Sequence, residues 1–408
     1  MVKVKFNKEK LMFSLVIIDV LFFPYLRPVV IPFSYFLILY WCFKNFKNIQ
    51  RDKDFKLIFI CMLMMFFSTV IGIFINSQFG VFGDDLKRLI QYYFIFGYYF
   101  YFKWYFNKNN FKYKKYFIYF VLFVLLLALL FNSNVSLFGR VVTFWNSGNA
   151  YANSFIQNSV FSGVFRYSFI WTDPNNIAYV VTGIIAVIFL LTNIGIGEKI
   201  ILIIINIYIL FSCMSSGGWI NFFITYSLLL IYKLSSKKNI KKTINIKNIF
   251  ILCMVLIIIL FSLKYIKDFF NSNLVLNASE RFKDNDNTRT EIWMKILSGE
   301  SIFKHLILGK GSEIYINGVS RATHSGHLYW IYAYGFISYA IFMRMFFYIS
   351  KKLKSLYLYI PMISFFLCFT MNTMIGEQKL FIIFVLIGII LKKEAITNEK
   401  SFSNRSNL

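Results

Sequence analysis

Long apolar runs separated by short lysine-rich segments set the pattern of this chain. LMFSLVIIDVLFF, KLIFICMLMMFFSTVIGIF, YFIYFVLFVLLLALLF, NIFILCMVLIIILFSL and KLFIIFVLIGIIL stand near the length of roughly 20 residues that a helix needs to cross a bilayer core. Runs of this kind predict about twelve spanning helices, at 11–26, 29–43, 57–75, 87–106, 116–131, 175–192, 199–214, 218–232, 248–266, 326–349, 355–373 and 378–391. The expectation is an all-α polytopic membrane protein, a single integral domain over 1–408. Two connections, 132–174 and 267–325, are too long for passive turns, because loops above roughly 12–15 residues are usually functional or disordered. Within the second, WMKILSGESIFKHLILG reads as short amphipathic helices lying on the membrane or capping the bundle.

Composition removes the soluble alternative. With 58% hydrophobic and 21% aromatic residues over 408 positions, the chain has more apolar surface than one soluble core can hide. The N-terminus lacks a small-residue cleavage site, so the first helix is expected to stay in the membrane. A formal charge of +26 would fit a polyanion partner, yet the lysines sit mostly in clusters between apolar runs. That is the positive-inside pattern, with anionic-lipid contact rather than nucleic acid as its second use. It places both termini in the cytoplasm and both long connections outside. The five cysteines fall in or beside apolar runs without a CxxC pair, and read as small hydrophobes.

Polar chemistry therefore concentrates in the outer segments. In FRYSFIWTDPNNIAYVV, Asp173-Pro174-Asn175 is a good helix start, but it does not explain Arg166 among Phe165, Tyr167, Phe169 and Trp171. That arginine either snorkels or binds an anion with its planar fork. In NTRTEIWMKI, Arg289 and Trp293 lie four apart on the first turns of a helix, and Asp284, Asp286 and Glu291 offer Arg289 an ordinary ion pair. Asp284-Asn285-Asp286 also has the DxD form of metal-dependent glycosyltransferases, whose nucleotide-sugar donors are cytoplasmic, on the opposite side from this loop. Asp19, an acid inside an apolar run, is a functional candidate unless an arginine or a wet cavity accommodates it.

RATHSGHLYWIYAYG, residues 321–335, holds His324 and His327, two of three histidines in the chain. Spaced three apart they could share a metal, but His305 is the only other histidine and no carboxylate forms an HExxH or HxxE pair. The remaining readings are an interfacial histidine bonded to backbone, or a base that takes a proton from a hydroxyl. Gly309-Lys310-Gly311 lacks the strand and the GK[ST] ending of a phosphate loop, and reads as a turn.

In this order the pieces resemble the bacterial O-antigen and capsular polysaccharide polymerases and the O-antigen ligases, multi-span enzymes of glycosyltransferase-C type. The first outer motif of that superfamily, an arginine followed eight residues later by Pro-Asn, is matched by Arg166, Pro174 and Asn175. The second, an arginine three residues before Ile/Leu-Trp, is matched by Arg289, Ile292 and Trp293. The H-P-x-x-G-x-G turn is similar to His305 through Gly311, a shape element, and H-N-x-Y-L with a later glycine is similar to His324 through Leu328 and Gly335. Four positions depart: Phe169 replaces a glycine, Leu306 a proline, Ser325 an asparagine, and Ser215-Ser216-Gly217 stands where the superfamily has Ser-Arg-Gly.

The resemblance implies transfer, at the outer face of the bacterial cytoplasmic membrane, of a glycan from polyprenyl diphosphate to a hydroxyl of another glycan. It implies Arg166 and Arg289 as diphosphate stabilisers, His324 as base, Asn175, Trp293, His327 and Arg321 as substrate contacts, and no metal or cofactor. Donor and acceptor are polyprenyl-diphosphate-linked oligosaccharides; membrane lipids, a flippase and a chain-length regulator are the other expected partners. Trp145, Trp171, Tyr315 and Tyr329 are candidates for stacking on sugar faces. A polymerase is the first reading and a ligase the second. A flippase for the same lipid would show broken helices and charges at mid-membrane, and mid-span charges are almost absent.

Overall fold

A computed structural model describes residues 8–22, 33–52, 54–76, 82–108, 113–145, 166–171, 174–191, 194–236, 293–294, 296, 307–312, 315–316, 319–320, 323, 325–352 and 369. These are mostly helical. The helices are α1 Lys8–Phe22, α2 Ser34–Lys44, α3 Phe46–Gln50, α4 Phe55–Asn76, α5 Phe82–Lys108, α6 Tyr113–Ser133, α7 Val135–Trp145, α8 Pro174–Leu191, α9 Ile196–Cys213, α10 Ser216–Ser236 and α11 Gly326–Lys352. A two-residue antiparallel ladder, β1 Tyr315–Ile316 with β2 Val319–Ser320, precedes α11. The sequence between its strands, Asn317-Gly318, is the dipeptide favoured in tight hairpin turns.

Among the described residues three helices are long and apolar enough to cross a membrane, over Phe55–Ile75, Tyr116–Ser133 and Ile196–Cys213, with mean hydropathies of 2.7, 2.3 and 2.0. Large apolar side chains stay exposed on their outer surfaces, among them Phe66, Phe67, Leu126, Ile201 and Ile204. In water such faces would be costly; in hydrocarbon they are ordinary. The expected spans at 248–266, 355–373 and 378–391 fall outside the described residues, apart from Phe369.

Local sequence explains the ends of several helices. Pro174 opens α8, as its fixed φ and missing N–H suit a first turn. Asn134 caps α7 through Oδ1, which accepts the N–H of Leu137 at 2.9 Å. That helix lies inside the stretch 132–174 and packs on α6, so the connection is not wholly a loop. Glu198 reaches back to the N–H of Gly195 at 3.2 Å before α9, which ends at Met214 in the left-handed region, φ 47°.

Two sets of helices carry the core. In the first, α4 lies against α11 and α5, while α2 packs on α5 and α1. In the second, α8 is wrapped by α9, α10 and α6. Phe22 of α1 meets Phe120 and Phe123 of α6 at ring distances of 5.4 and 5.7 Å, which joins the sets. Asp19 has a structural role here: its Oδ2 accepts the first N–H of α2, from Ser34, at 2.6 Å, in a buried setting. A helix N-terminus is thus one partner of this acid.

Candidate functional site

The first motif closes on the end of α9. Arg166 donates from Nε to the Cys213 carbonyl at 3.1 Å and from Nη2 to the Met214 carbonyl at 3.3 Å, with a longer contact of 3.4 Å to Oδ1 of Asn175. These carbonyls lie at the C-terminal end of a helix, where a cation also meets the negative end of the macrodipole. Ser215 donates to the same Asn175 Oδ1 at 2.7 Å, and its Oγ accepts the N–H of Gly218 at 3.0 Å at the start of α10. Arg166, Asn175 and Ser215 are therefore one cluster, built from the start of α8 and the corner between α9 and α10. A Cβ on Gly217 would collide with the hydroxyl of Tyr179, so a larger residue at this corner would have to displace that side chain.

The chain between Arg166 and α8 is held from below. Tyr167 donates its hydroxyl to the Val124 carbonyl at 2.7 Å, and its N–H to the Ser212 carbonyl at 2.9 Å. Burial pushes the Tyr167 hydroxyl far above the ordinary tyrosine range, so it remains a neutral donor. Phe169 occupies the left-handed region at φ 61°, which an L-residue adopts at a cost of about 1 kcal/mol or more. Its ring compensates by packing edge-on to Phe120, Phe123 and Trp171.

A glycine knot fixes the 307–312 turn. Gly309 donates its N–H to Ser68 Oγ on α4 at 2.9 Å. Lys310 and Gly311 donate theirs to the carbonyls of Tyr332 and Ala333 at 2.9 and 3.1 Å. Those acceptors lie just before Gly335, where α11 leaves helical geometry with φ 82°. The turn thus supplies partners at the break in the helix. Gly311 itself has φ 89° and presses against the backbone of Gly72, while Gly309 presses against that of Ala333. Asp85, fully buried near the start of α5, accepts both the N–H and the hydroxyl of Ser312, each at 2.6 Å. Sequence pattern alone does not single out Asp85, since an acid in the first turn of a helix is an ordinary capping preference.

The second and third motifs meet at one bond. Trp293, in a helical stretch with Met294 and Ile296, donates its indole N–H to the Thr323 carbonyl at 2.5 Å. Thr323 is buried and its hydroxyl donates to the Ser325 carbonyl at 2.9 Å, while Gly326 donates to Phe369 at 2.7 Å. The residues on both sides of His324 in sequence are held in this way. His327, the second residue of α11, is half-buried, with Nδ1 at 3.1 Å from the Tyr339 hydroxyl and its ring edge-on to Tyr339 and Phe369.

His324, Arg289, Arg321 and His305 lie outside the described residues, as do Asp284, Asp286 and Glu291. Of the aromatic residues expected to stack on sugars, Trp171 and Tyr329 are buried in the core, and the side chains of Trp145 and Tyr315 are outside the description. Trp171 instead packs on Phe120 and Phe169.

No protein-family model matches this chain, and neither the curated proteins nor the solved structures include one detectably similar to it.

Proposed function

We propose that the protein is a metal-independent glycosyltransferase of glycosyltransferase-C type, with about twelve spanning helices, that polymerises polyprenyl-diphosphate-linked oligosaccharides at the outer face of the bacterial cytoplasmic membrane. The observation that carries this reading is the convergence of Arg166, Asn175 and Ser215 at the α9–α10 corner, combined with the bond from Trp293 to the residue preceding His324. The first joins residues that the polymerase and ligase resemblance groups, across 40 positions of sequence, and the second ties Trp293 to the neighbour of His324 across 30.

The chemistry follows from the residue types. The acceptor hydroxyl gives its proton to His324 as its oxygen bonds to the anomeric carbon, and the bond from that carbon to the diphosphate breaks. Negative charge grows on the departing diphosphate, which Arg166 and Arg289 stabilise in a partly dry site. The carbonyls of Cys213 and Met214 hold the Arg166 plane, so little reorganisation is needed when charge develops. A base at the hydroxyl contributes roughly 10²–10⁴ in rate.

The test is the purified full-length protein with lipid-linked repeats. Chain extension that disappears in His324→Ala supports the reading; full extension in that variant refutes it. Product analysis in cells separates the ligase, since loss of a polymerase shortens chains whereas loss of a ligase leaves polymer on the polyprenol.

A further inference from the structure

The short helix α7 begins where an apolar run long enough to span a membrane ends. That run, Tyr116–Ser133, closes α6; only Asn134 intervenes before α7 starts at Val135. Phe138 then turns back onto the last turn of α6, edge-on to Phe131 at 5.2 Å, and lies 5.7 Å from the Tyr167 ring. A helix that folds back within one turn of a span's exit stays at the level of the bilayer interface.

The two faces of α7 differ. Phe138 and Val142 are buried against the bundle. Leu137, Arg140 and Phe144, spaced three and four apart, share the opposite face over about 10 Å, and all three are exposed. Phe144 is 80% exposed, which is costly in water but favourable at the boundary between lipid headgroups and acyl chains. Beside Arg140 the surface is open, since a Cβ on Gly139 would meet nothing within 4 Å.

Charge along the chain names the headgroup. Arg140 and Arg166 are the only charged residues between positions 132 and 172, so this stretch offers Arg140 no acid of its own. Arg166 is held by the Cys213 and Met214 carbonyls, whereas Arg140 forms no ion pair among the described residues. An exposed guanidinium at a lipid interface finds its counter-charge in phosphate, which its planar fork fits. We infer that α7 is an interfacial helix that docks an anionic phospholipid, with Arg140 on its phosphate and Leu137 and Phe144 among its acyl chains. An uncompensated positive charge favours a net negative lipid of phosphatidylglycerol type over a zwitterionic one. The inference is independent of the glycosyl-transfer reading.

A fluorophore on Gly139→Cys, in full-length protein with its five natural cysteines replaced by alanine and reconstituted in phosphatidylcholine nanodiscs, tests it locally. Spin-labelled phosphatidylglycerol should associate with the fluorophore, and quench it, about fivefold more strongly than spin-labelled phosphatidylcholine, the effect of one basic side chain at a membrane surface. Arg140→Gln should abolish that preference and Arg140→Lys should retain most of it. Phe144→Ser should weaken quenching by both lipids, as the helix loses its hold on the acyl chains. On the chain with its natural cysteines, native mass spectrometry should show Arg140→Gln retaining one phosphatidylglycerol fewer than wild type. Equal quenching by the two lipids, or a preference that survives Arg140→Gln, overturns the inference. Unlabelled polyprenyl diphosphate separates the two sources of lipid phosphate: competition no stronger than that of unlabelled phosphatidylglycerol supports a bilayer phospholipid, whereas displacement at far lower amounts overturns that assignment.

Discussion

Replacing Gly335 by alanine probes the knot that ties the 307–312 turn to α11. Gly335 has φ 82°, and a Cβ there would collide with the Ile307 carbonyl oxygen and lie 2.8 Å from its carbon. With ψ at 164° this is a backbone region essentially confined to glycine, where an L-residue costs about 1–3 kcal/mol, and forcing atoms into a packed site costs about 1–3 kcal/mol. The clash is with backbone, which cannot swing aside as a side chain would. A loss of about 2–6 kcal/mol is therefore expected for Gly335→Ala. Gly139 gives the control, because it is helical and a Cβ there meets nothing within 4 Å. Gly139→Ala should stabilise by about 0.5–1 kcal/mol through the helix propensity of alanine. Heating purified protein in detergent and measuring the monodisperse fraction remaining by size exclusion reads both effects. A Gly335→Ala variant that melts with wild type would refute the packing described for the turn.

Four further outcomes follow from named contacts. Trp293→Phe removes the bond to the Thr323 carbonyl, a loss of about 1–3 kcal/mol at a buried acceptor, and should slow chain extension about tenfold or more while the protein still reaches the membrane. Arg166→Lys cannot reproduce the two-pronged hold on the Cys213 and Met214 carbonyls, so extension should fall strongly; wild-type product would return Arg166 to a purely capping or snorkelling role. His327→Tyr should be tolerated far better than any change at His324, measured as chain length in cells, since His327 packs against Tyr339. Tyr167 has its folded pKa raised by burial, so its contribution to stability is present below the unfolded value of about 10 and is lost only as pH climbs above it. Thermal unfolding of Tyr167→Phe and wild type should therefore differ by a constant amount between pH 6 and about pH 9.

The sequence shows where helices lie more readily than how they meet. Apolar run length places α4, α6 and α9 because one physical requirement, the thickness of hydrocarbon, dictates it. The same criterion passes over α7, an 11-residue helix that starts at the Asn134 cap. Arg166 and Asn175 meet within nine positions, so a local motif is enough to suggest their contact. Asp85 and Ser312 are 227 positions apart, and their pairing depends on the register of α5 against the glycine turn, which no local pattern encodes. Trp171 illustrates the opposite error. An aromatic residue at a membrane surface reads as a sugar platform, yet the left-handed turn at Phe169 directs it into the core. Asp19 likewise draws attention as an acid in an apolar run, and only the placement of α2 reveals the N–H it accepts.

The central claim is chemical, and one measurement addresses it directly: purified wild-type protein and His324→Ala, each incubated with a polyprenyl-diphosphate-linked repeat and chelator, with products resolved by length. The account predicts a ladder of extended chains and released polyprenyl diphosphate for wild type, and neither for the variant. Unextended repeats with wild-type protein, or an undiminished ladder with the variant, would contradict it.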